Sequence, residues 1–488
     1  MTTKLNKLLA DIDVLEIIGD TDKNIVSLES DSRKVEKDGM FVAVKGVTTD
    51  GHKYIPVVTS ANVAAVVCEE IPSTLDKGVT YIRVSDSAKA LGELASAWFG
   101  HPSRHLTLVG VTGTNGKTTT ATLLYEMARL EGYKAGLLST VCNYIDDKKV
   151  ESTHTTPDPI SLNRLLAEMV DAGCDYAFME VSSHSTAQKR VAGIEFAGGV
   201  FSNLTRDHLD YHGTVNNYMN AKKAFFDMLG PDAFALVNSD DKSGLYMVQN
   251  TKAKVYSYSL RSDADFRGKI IETRLDGTLL SLNGHEVEVR FTGRFNAYNL
   301  TAVYGASILC GFNPEHILVN MSKLVPVAGR FQPFLSKDGV AAIVDYAHTP
   351  DALVNVLDTI RDIVGNDGRI ITVVGAGGNR DSGKRPIMAQ EAACRSDILI
   401  LTSDNPRHED PEEIISQMEA GLSREELKRT KRVTDRRAAI KEAIAIAEPG
   451  TVVLVAGKGH EPYQEVKGVR HHFDDAEEVL TALAERNK

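Results

Sequence analysis

VTGTNGKTTT, residues 111–120, follows the apolar run LTLVG (106–110) and opens a helical pattern that continues as ATLLYEMARLEG to 132. A strand, a glycine-bearing turn and a helix in that order make the phosphate-holding turn of an α/β sheet. Gly113 and Gly116 permit the tight turn and let backbone N–H groups approach phosphate oxygens. Lys117 supplies a point charge for the β- and γ-phosphates, Thr118 offers a hydroxyl to Mg²⁺, and the helix adds its N-terminal dipole. Position 111 is valine where the usual P-loop has its first glycine, so the turn is a variant. Kinases, motors, switches and ligases all use such turns, and this stretch alone does not choose among them.

Outward from the turn, apolar runs alternate with amphipathic ones, the pattern of α/β layers. Upstream lie the short strands GMFVAVKG (39–46), VAAVVCEE (63–70) and TYIRVSD (80–86), then the helix SAKALGELASAWFG (87–100) and the punctuating HPSRH (101–105). Downstream come strands YAFMEVSS (176–183), GGVFSNL (198–204) and AFALVNSDD (233–241). LDGTLLSLNGHEVEVRF (275–291) alternates in polarity around Asn-Gly and predicts an antiparallel hairpin. RFNAYNLTAVYGASILCG (294–311) predicts a helix. From about 335 the pattern restarts with strands AAIVDYA, RIITVVGAGG, DILILTSD and TVVLVAGKG separated by helices, a doubly wound, Rossmann-like sheet with polar motifs at the carboxyl ends of its strands. The expected fold class is therefore α/β in three domains, 1–104, 105–334 and 335–488. The length of 488 residues agrees, being too great for one ordinary core.

The balance of 55 Lys+Arg against 66 Asp+Glu, a net charge of −11, argues against a broad nucleic-acid or anionic-membrane surface. An anionic substrate must be held by local positive sites. Cys68, Cys142, Cys174, Cys310 and Cys394 are scattered without a Cys-x-x-Cys pair, which predicts neither disulfides nor a zinc site. The first residues carry acids where a signal peptide needs an apolar run, and no apolar stretch approaches the roughly 20 residues that span a bilayer. A cytoplasmic protein is expected.

GTNGKTTT looks like the ATP-binding signature of the Mur ligases, relatives of the folylpolyglutamate synthases. The likeness extends over nearly the whole chain through MEVSSH (179–184), NLTRDHLDYHG (203–213), FNAYNLTAV (295–303), DYAHTPDAL (345–353), GNRDSGKRP (378–386), SDNPR (403–407) and GKGHE (457–461). It implies a UDP-substrate-binding N-terminal domain, a central P-loop-type ATPase domain and an amino-acid-binding C-terminal domain. Within the family these motifs resemble those of the members that add meso-2,6-diaminopimelate to the D-Glu of UDP-N-acetylmuramoyl-L-Ala-D-Glu in peptidoglycan synthesis. ATP and Mg²⁺ follow as implied cofactors, and a monomer as the implied working form.

The resemblance also carries residue roles. Gly113, Thr114, Asn115, Gly116, Lys117, Thr118 and Thr119 would form the nucleotide turn. Glu180 ends a strand, where a carboxylate suits a hard cation, and His208 is similar to the family's other metal-side residue. For Lys222 the family implies a carbamate. An ammonium would be repelled by Mg²⁺, whereas a neutral amine that adds CO₂ becomes a negative oxygen ligand. Without the resemblance, Lys222 and Lys223 read as surface charges on an amphipathic helix. Asn299, Arg330 and His348 are implied to contact the nucleotide, although each also suits an ordinary helix or turn hydrogen bond.

On the substrate side, ESDSRKV (29–35) resembles a uridine-diphosphate grip, with Ser30 and Ser32, and Val47, Thr48 and Thr49 line the same pocket. His154, Thr155, Thr156, Ser182, Gln188 and Arg190 resemble the residues that hold the peptide arm, Arg190 through a fork that matches a carboxylate. Ser and Thr clusters also serve simply as caps and turns. For the acceptor, Asp404, Asn405, Pro406 and Arg407 follow a strand end, where the Arg fork can grip an amino acid's carboxylate. The acids of HEDPEE (408–413) could instead neutralise it. Arg380, Gly457 and Glu461 resemble the rest of that pocket, Glu461 being suited to an ammonium. Rival readings are lysine as the acceptor, addition of folate-linked glutamate, and a nucleotide-dependent switch or binding protein without synthesis.

Overall fold

The computed structural model describes residues 2–46, 49–152 and 154–486. Among them lie main sheets of five, eleven and six strands, in chain order, and two small two-stranded ones. In the five-stranded sheet the order is Val14–Ile18, Thr80–Val84, Ala65–Cys68, Met40–Val42, Leu28–Glu29, the last four parallel. Ser30 and Ser32 follow Leu28–Glu29, and Thr49 follows the neighbouring Met40–Val42, so parallel pairing puts them at one edge of the sheet. Val47 and Thr48 lie outside the described residues.

The eleven-stranded sheet has a parallel middle: Ala135–Leu138, Tyr176–Glu180, Thr107–Thr112, Gly198–Phe201, Phe234–Asn238, Lys254–Ser259 and Phe266–Arg274. The first five read as apolar runs because both faces are covered, whereas Lys254–Ser259 and Phe266–Arg274, toward one side of the sheet, are partly exposed. Leu123 and Leu124 of helix Lys117–Leu130, with Leu300 and Val303 of helix Arg294–Leu309, pack on one face. Leu162 and Leu166 of helix Pro159–Asp171, with Phe225 and Phe226 of helix Val215–Asp227, pack on the other. The predicted hairpin is present as Gly277–Leu282 and His285–Val289, turning through Asn283 and Gly284 at φ 47° and 91°. It also pairs with Phe266–Arg274, which extends the sheet beyond the nucleotide turn.

The six-stranded sheet runs Gln332–Leu335, Ala341–Asp345, Val452–Ala456, Ile370–Val374, Ile398–Leu401, Thr430–Arg432, parallel apart from the first pair. The expected break between 334 and 335 needs correction. Gln332–Leu335 pairs with Ala341–Asp345, so the third sheet begins at 332; a half-exposed edge strand carries little apolar signal of its own. Within this unit Arg436 and Asp475 form a fully buried two-pronged ion pair, both contacts 2.7 Å. Removing one charge from such a pair costs about 3–5 kcal/mol, because the other is left buried and unpaired. Asp475→Asn is therefore expected to lower the urea midpoint of this unit sharply. The double leucine replacement of Arg436 and Asp475 should cost much less; equal losses would contradict this account.

Among the described residues no helix is long and apolar enough to cross a membrane. The cysteines are unpaired, as expected.

Candidate active site

Thr107–Thr112 lies between Tyr176–Glu180 and Gly198–Phe201, with Glu180 opposite Val111 and Phe201 opposite Thr112. Three strand ends thus open onto one crevice. The chain leaves the strand through Gly113 at φ 147° and enters the helix through Gly116 at φ 86°. A side chain at the first would collide with the Ser202 hydroxyl, and at the second with the carboxamide of buried Asn299. The segment after Gly198–Phe201 braces the turn. Thr114 N–H donates to the Asn203 carbonyl (2.8 Å), Asn115 N–H donates to Asn203 Oδ1 (3.0 Å), and Ser202 Oγ donates to the Asn115 carbonyl (2.6 Å).

The helix has no side-chain cap at Gly116, so the first-turn N–H groups of Lys117, Thr118 and Thr119 have no acceptor within the helix and point at the crevice mouth. Lys117 Nζ donates to the carbonyls of Gly113 (3.0 Å) and Thr114 (2.8 Å). Burial lowers its pKa from the ordinary lysine value, opposed by the negative charges of Glu180 and Asp207. Phosphate oxygens would give this ammonium stronger acceptors than two carbonyls.

Lys222 is buried, 1% exposed, and its Nζ donates to the Gly113 carbonyl at 2.6 Å. Burial first, and the charge of Lys117 second, hold it well below the ordinary lysine range. A neutral amine in this position has the protonation state that adds CO₂. Lys223 is also buried but points elsewhere, pairing with Asp227 at 2.7 Å. The surface-charge reading of both lysines fails, because both are buried, Lys222 at the nucleotide turn and Lys223 over the Tyr246 ring of a neighbouring helix.

Glu180 is 1% exposed and accepts the Thr140 N–H at 2.7 Å. His208 precedes the short helix Leu209–His212 at φ 52°, with Nε2 3.3 Å from the Asp207 carboxylate. Among the described residues no three His, Cys, Asp or Glu side chains converge as a metal group. A cation held here would therefore draw on hydroxyl and phosphate oxygens as well as on Glu180 and His208. That donor chemistry fits Mg²⁺ beside a nucleotide, with Thr118 and a carbamylated Lys222 as further oxygen donors.

Two units meet over the cradle. Arg330, just before the third sheet, donates from Nη2 to Thr118 Oγ1 at 3.3 Å and lies 4.5 Å over the Tyr346 ring. His348 lies at the exposed rim with Nδ1 donating to the Tyr346 carbonyl (2.8 Å), and Lys384 Nζ donates to the His348 carbonyl (2.9 Å). The structure thus brings Arg330 to the turn and leaves His348 beside it.

The residues expected to hold the peptide arm form one network next to Glu180. Thr156 Oγ1 donates to the Glu180 carbonyl (2.9 Å) and accepts from Ser182 N–H (3.2 Å), and Thr140 Oγ1 donates to Thr155 Oγ1 (3.0 Å). The Arg190 fork donates to Gln188 Oε1 (2.9 and 2.6 Å) and the Thr156 carbonyl (2.9 Å). A substrate carboxylate would have to share or exchange these partners. His154 is exposed at the start of this loop. Among the described residues no hydrogen bond ties Ser30 or Ser32, at the edge of the five-stranded sheet, to this network.

At the third sheet, the loops after Ile370–Val374, Ile398–Leu401 and Val452–Ala456 converge. Asp404, Asn405 and Pro406 are buried, and Asn405 Nδ2 donates to Glu461 Oε2 at 2.6 Å. Lys458, fully buried, donates to Asn405 Oδ1 (3.2 Å) and lies 3.4 Å from Glu461. Burial, then the charge of Asp404, raise the Glu461 pKa. Gly457 places its backbone against the Asp404 carboxylate. Arg407 adopts φ 53°, pinned by its N–H to the Glu465 carbonyl (3.0 Å) and by Lys467 N–H to its own carbonyl (2.5 Å). The acids of HEDPEE go elsewhere: Glu409 pairs with Arg385, Glu412 with Arg432, and Asp410 caps the next helix. Among the described residues no carboxylate pairs with Arg407, whose Nη1 donates to the Gly378 carbonyl (2.6 Å). Arg380 is exposed beside Gly377.

Sequence reasoning missed Asp207, Lys384, Arg385 and Lys458. The charge of Asp207 favours the protonated forms of Lys117, Lys222 and Lys384, opposing the burial that lowers the pKa of each. Each of the four lies inside a quoted motif, and that neighbourhood was the only signal for it.

Residues 24–99 match the Mur ligase family, catalytic domain; residues 111–307 match the Mur ligase middle domain; and residues 329–459 match the Mur ligase, glutamate ligase domain. The chain is 58% identical over 474 residues to the UDP-N-acetylmuramoyl-L-alanyl-D-glutamate–2,6-diaminopimelate ligase of Bacteroides fragilis, covering 97% of this chain and 98% of that one. It is 59% identical over 481 residues to the protein of the same name from Phocaeicola vulgatus, covering 99% of each. Among solved structures, one of a UDP-N-acetylmuramoyl-L-alanyl-D-glutamate–2,6-diaminopimelate ligase superposes with a TM-score of 0.72 at 33% identity over 100% of both chains. The MurF ligase from Thermotoga maritima in complex with ADP shares the fold, with a TM-score of 0.60 at 19% identity over 94% of this chain and 98% of that one. With its three segments matched in order and its relatives aligned from end to end, the chain belongs to the Mur ligase family.

Proposed function

We propose that this protein is an ATP-dependent ligase that joins meso-2,6-diaminopimelate to the D-Glu of UDP-N-acetylmuramoyl-L-Ala-D-Glu in peptidoglycan precursor synthesis. The observation that carries the reading is the meeting of two sites: Arg330 bridges to Thr118 of the nucleotide turn, and Gly329 before it packs against Gly459 and His460 of the loop that carries Gly457 and Glu461. The relatives that align with nearly the full chain bear the name of this activity.

The D-Glu γ-carboxylate oxygen attacks the γ-phosphorus of ATP, the bond to the β-phosphate oxygen breaks, and ADP leaves with its electron pair. The acceptor nitrogen then attacks the acyl carbon and loses a proton, and phosphate departs. Lys117 and the first-turn N–H groups neutralise and orient the phosphates, and Asn299 closes the nucleotide side of the turn. Arg190 and Thr156 orient the D-Glu, while Arg407, Asn405 and Glu461 hold the amino acid so that its nitrogen faces the acyl carbon. Mg²⁺, held by Thr118, Glu180, His208 and a carbamylated Lys222, would neutralise phosphate oxygens. All of these groups come from one chain, so a monomer suffices, and the nucleotide substrates place the reaction in the cytoplasm.

Diaminopimelate differs from lysine by one carboxylate, and a charge-assisted pair with Arg407 is worth roughly 1.5–3 kcal/mol. That corresponds to about tenfold to a hundredfold discrimination. Phosphate release is expected only when ATP, the UDP-dipeptide and diaminopimelate are all present, with kcat/KM for lysine lower by at least this factor. Arg407→Ala should lose the preference through KM for the amino acid, with KM for ATP unchanged. A wild type that uses both amines equally, or an Arg407→Ala enzyme that keeps its preference, overturns the assignment.

A further inference from the structure

We propose that Arg385 and Glu409 are positioning residues for the acceptor amino acid, clamping the loop that carries Arg380 to the loop that carries Arg407. The inference rests on the reaction proposed above and identifies what sets the geometry of its acceptor pocket.

Arg385 lies in the first turn of helix Lys384–Arg395 and is 1% exposed. Its guanidinium makes a two-pronged pair with Glu409, Nη1 to Oε2 at 2.8 Å and Nη2 to Oε1 at 3.0 Å. The same Nη2 donates to the Gly377 carbonyl at 3.0 Å, and Nη1 donates to Gln417 Oε1 at 2.7 Å. Glu409 accepts the Asn379 N–H as well. Arg385 thus holds the loop after Ile370–Val374 with one hand and the loop after Ile398–Leu401 with the other.

Arg407 sits between those two attachments. Its backbone is fixed on the second loop at φ 53°, while its guanidinium is fixed on the first by the Gly378 carbonyl. Gly378 N–H donates back to the Asn405 carbonyl (2.9 Å), and His408 N–H donates to Asn379 Oδ1 (3.1 Å). Any shift of Gly377–Asn379 relative to Asn405–Glu409 therefore moves the tip of Arg407 against its own base. Glu409 is only two residues from Arg407, yet its charge is satisfied by Arg385, whose bond holds the Glu409 pKa below the usual carboxylate value. Arg407 is left for a substrate carboxylate. Arg385 is buried and Glu409 only partly, so desolvation of the guanidinium offsets much of the attraction and the pair contributes little net stability; its directional bonds to two loops are what an apolar pair of the same volume would not supply.

The test is steady-state kinetics on the full-length enzyme with diaminopimelate and lysine, in wild type, Glu409→Gln, Arg385→Lys and the remote core variant Ile444→Val. Misaligning the Arg407 fork forfeits a charge-assisted contact that the discrimination above puts at about tenfold to a hundredfold in affinity. KM for diaminopimelate is therefore expected to rise by about that factor in both clamp variants, with kcat and KM for ATP within about threefold of wild type. Lysine turnover, which never used the Arg407 contact, should change little, so that the preference collapses. Ile444→Val should leave the preference intact whatever it does to the melting temperature. Glu409→Gln preserves volume and one acceptor oxygen, so it reports even where Arg385→Lys does not fold. Clamp variants that keep the wild-type KM for diaminopimelate, or that lose kcat and ATP affinity in parallel with it, overturn the clamp while the reaction stands. A wild type that makes no product with diaminopimelate overturns the reaction and the clamp with it.

Discussion

Lys117→Ala should lower phosphate release by about a thousandfold or more, the scale seen when a cation is withdrawn from a transferring phosphoryl group. Lys117 is the lysine of the turn itself, and its present partners are two carbonyls of its own loop, at 3.0 and 2.8 Å. The Gly113 carbonyl keeps Lys222 Nζ as a donor and the half-buried Thr114 carbonyl can turn to water, so the loss should fall on catalysis rather than on folding. The turn is shaped instead by Ser202 and Asn203, which the substitution leaves in place. Turnover, the melting temperature and calorimetric binding of the UDP-dipeptide should be read together. A variant with wild-type melting, unchanged dipeptide binding and near-normal turnover would remove Lys117 from the mechanism.

Lys222→Ala should also be nearly inactive, by at least about a hundredfold, and short carboxylic acids should restore part of the activity by filling the vacated oxygen site. The argument starts from placement. A lysine 1% exposed and near Lys117 is disfavoured as an ammonium by burial first and by that neighbouring charge second, with the charge of Asp207 and the Tyr218 ring 4.7 Å away opposing them. As a carbamate it would turn a repulsion from Lys117 into an attraction and offer two oxygens beside Thr118 and Glu180. Lys223→Ala provides the contrast, because Lys223 is paired with Asp227 away from the turn, and it should keep most of the activity. NMR of active enzyme in ¹³C-bicarbonate should show a carbamate signal that vanishes in Lys222→Ala and persists in Lys223→Ala. A fully active wild type with no such signal would dispose of the modification.

The nucleotide turn was legible because its chemistry is local: Gly113, Gly116, Lys117 and Thr118 act within a few residues of one another. The Asn283-Gly284 hairpin was legible for the same reason, since left-handed backbone at both turn positions is a property of those two residues. The start of the third sheet was not. Gln332–Leu335 is a strand only because Ala341–Asp345 offers it an edge, and no periodicity within four residues reports that. The two lysines of NAKKAFF read alike in sequence, and only the packing of their helix sends Lys222 to Gly113, 109 positions away, while Lys223 keeps a local pair with Asp227 one turn on.

The acceptor pocket divides in the same way. The sequence alone determined the α/β class, the order of three units and the motifs at the carboxyl ends of strands, because hydrophobic period and turn chemistry are written over short stretches. It also named Arg407 as the fork for a carboxylate. It left open whether the neighbouring acids neutralise that fork, since Glu409, Asp410 and Glu412 are all within reach along the chain. Tertiary structure decided the matter: Arg385, 22 positions before Arg407 in the sequence, captures Glu409, and Arg432 captures Glu412. A charge is paired by whatever the fold brings within about 4 Å of it, and separation along the chain does not set that distance.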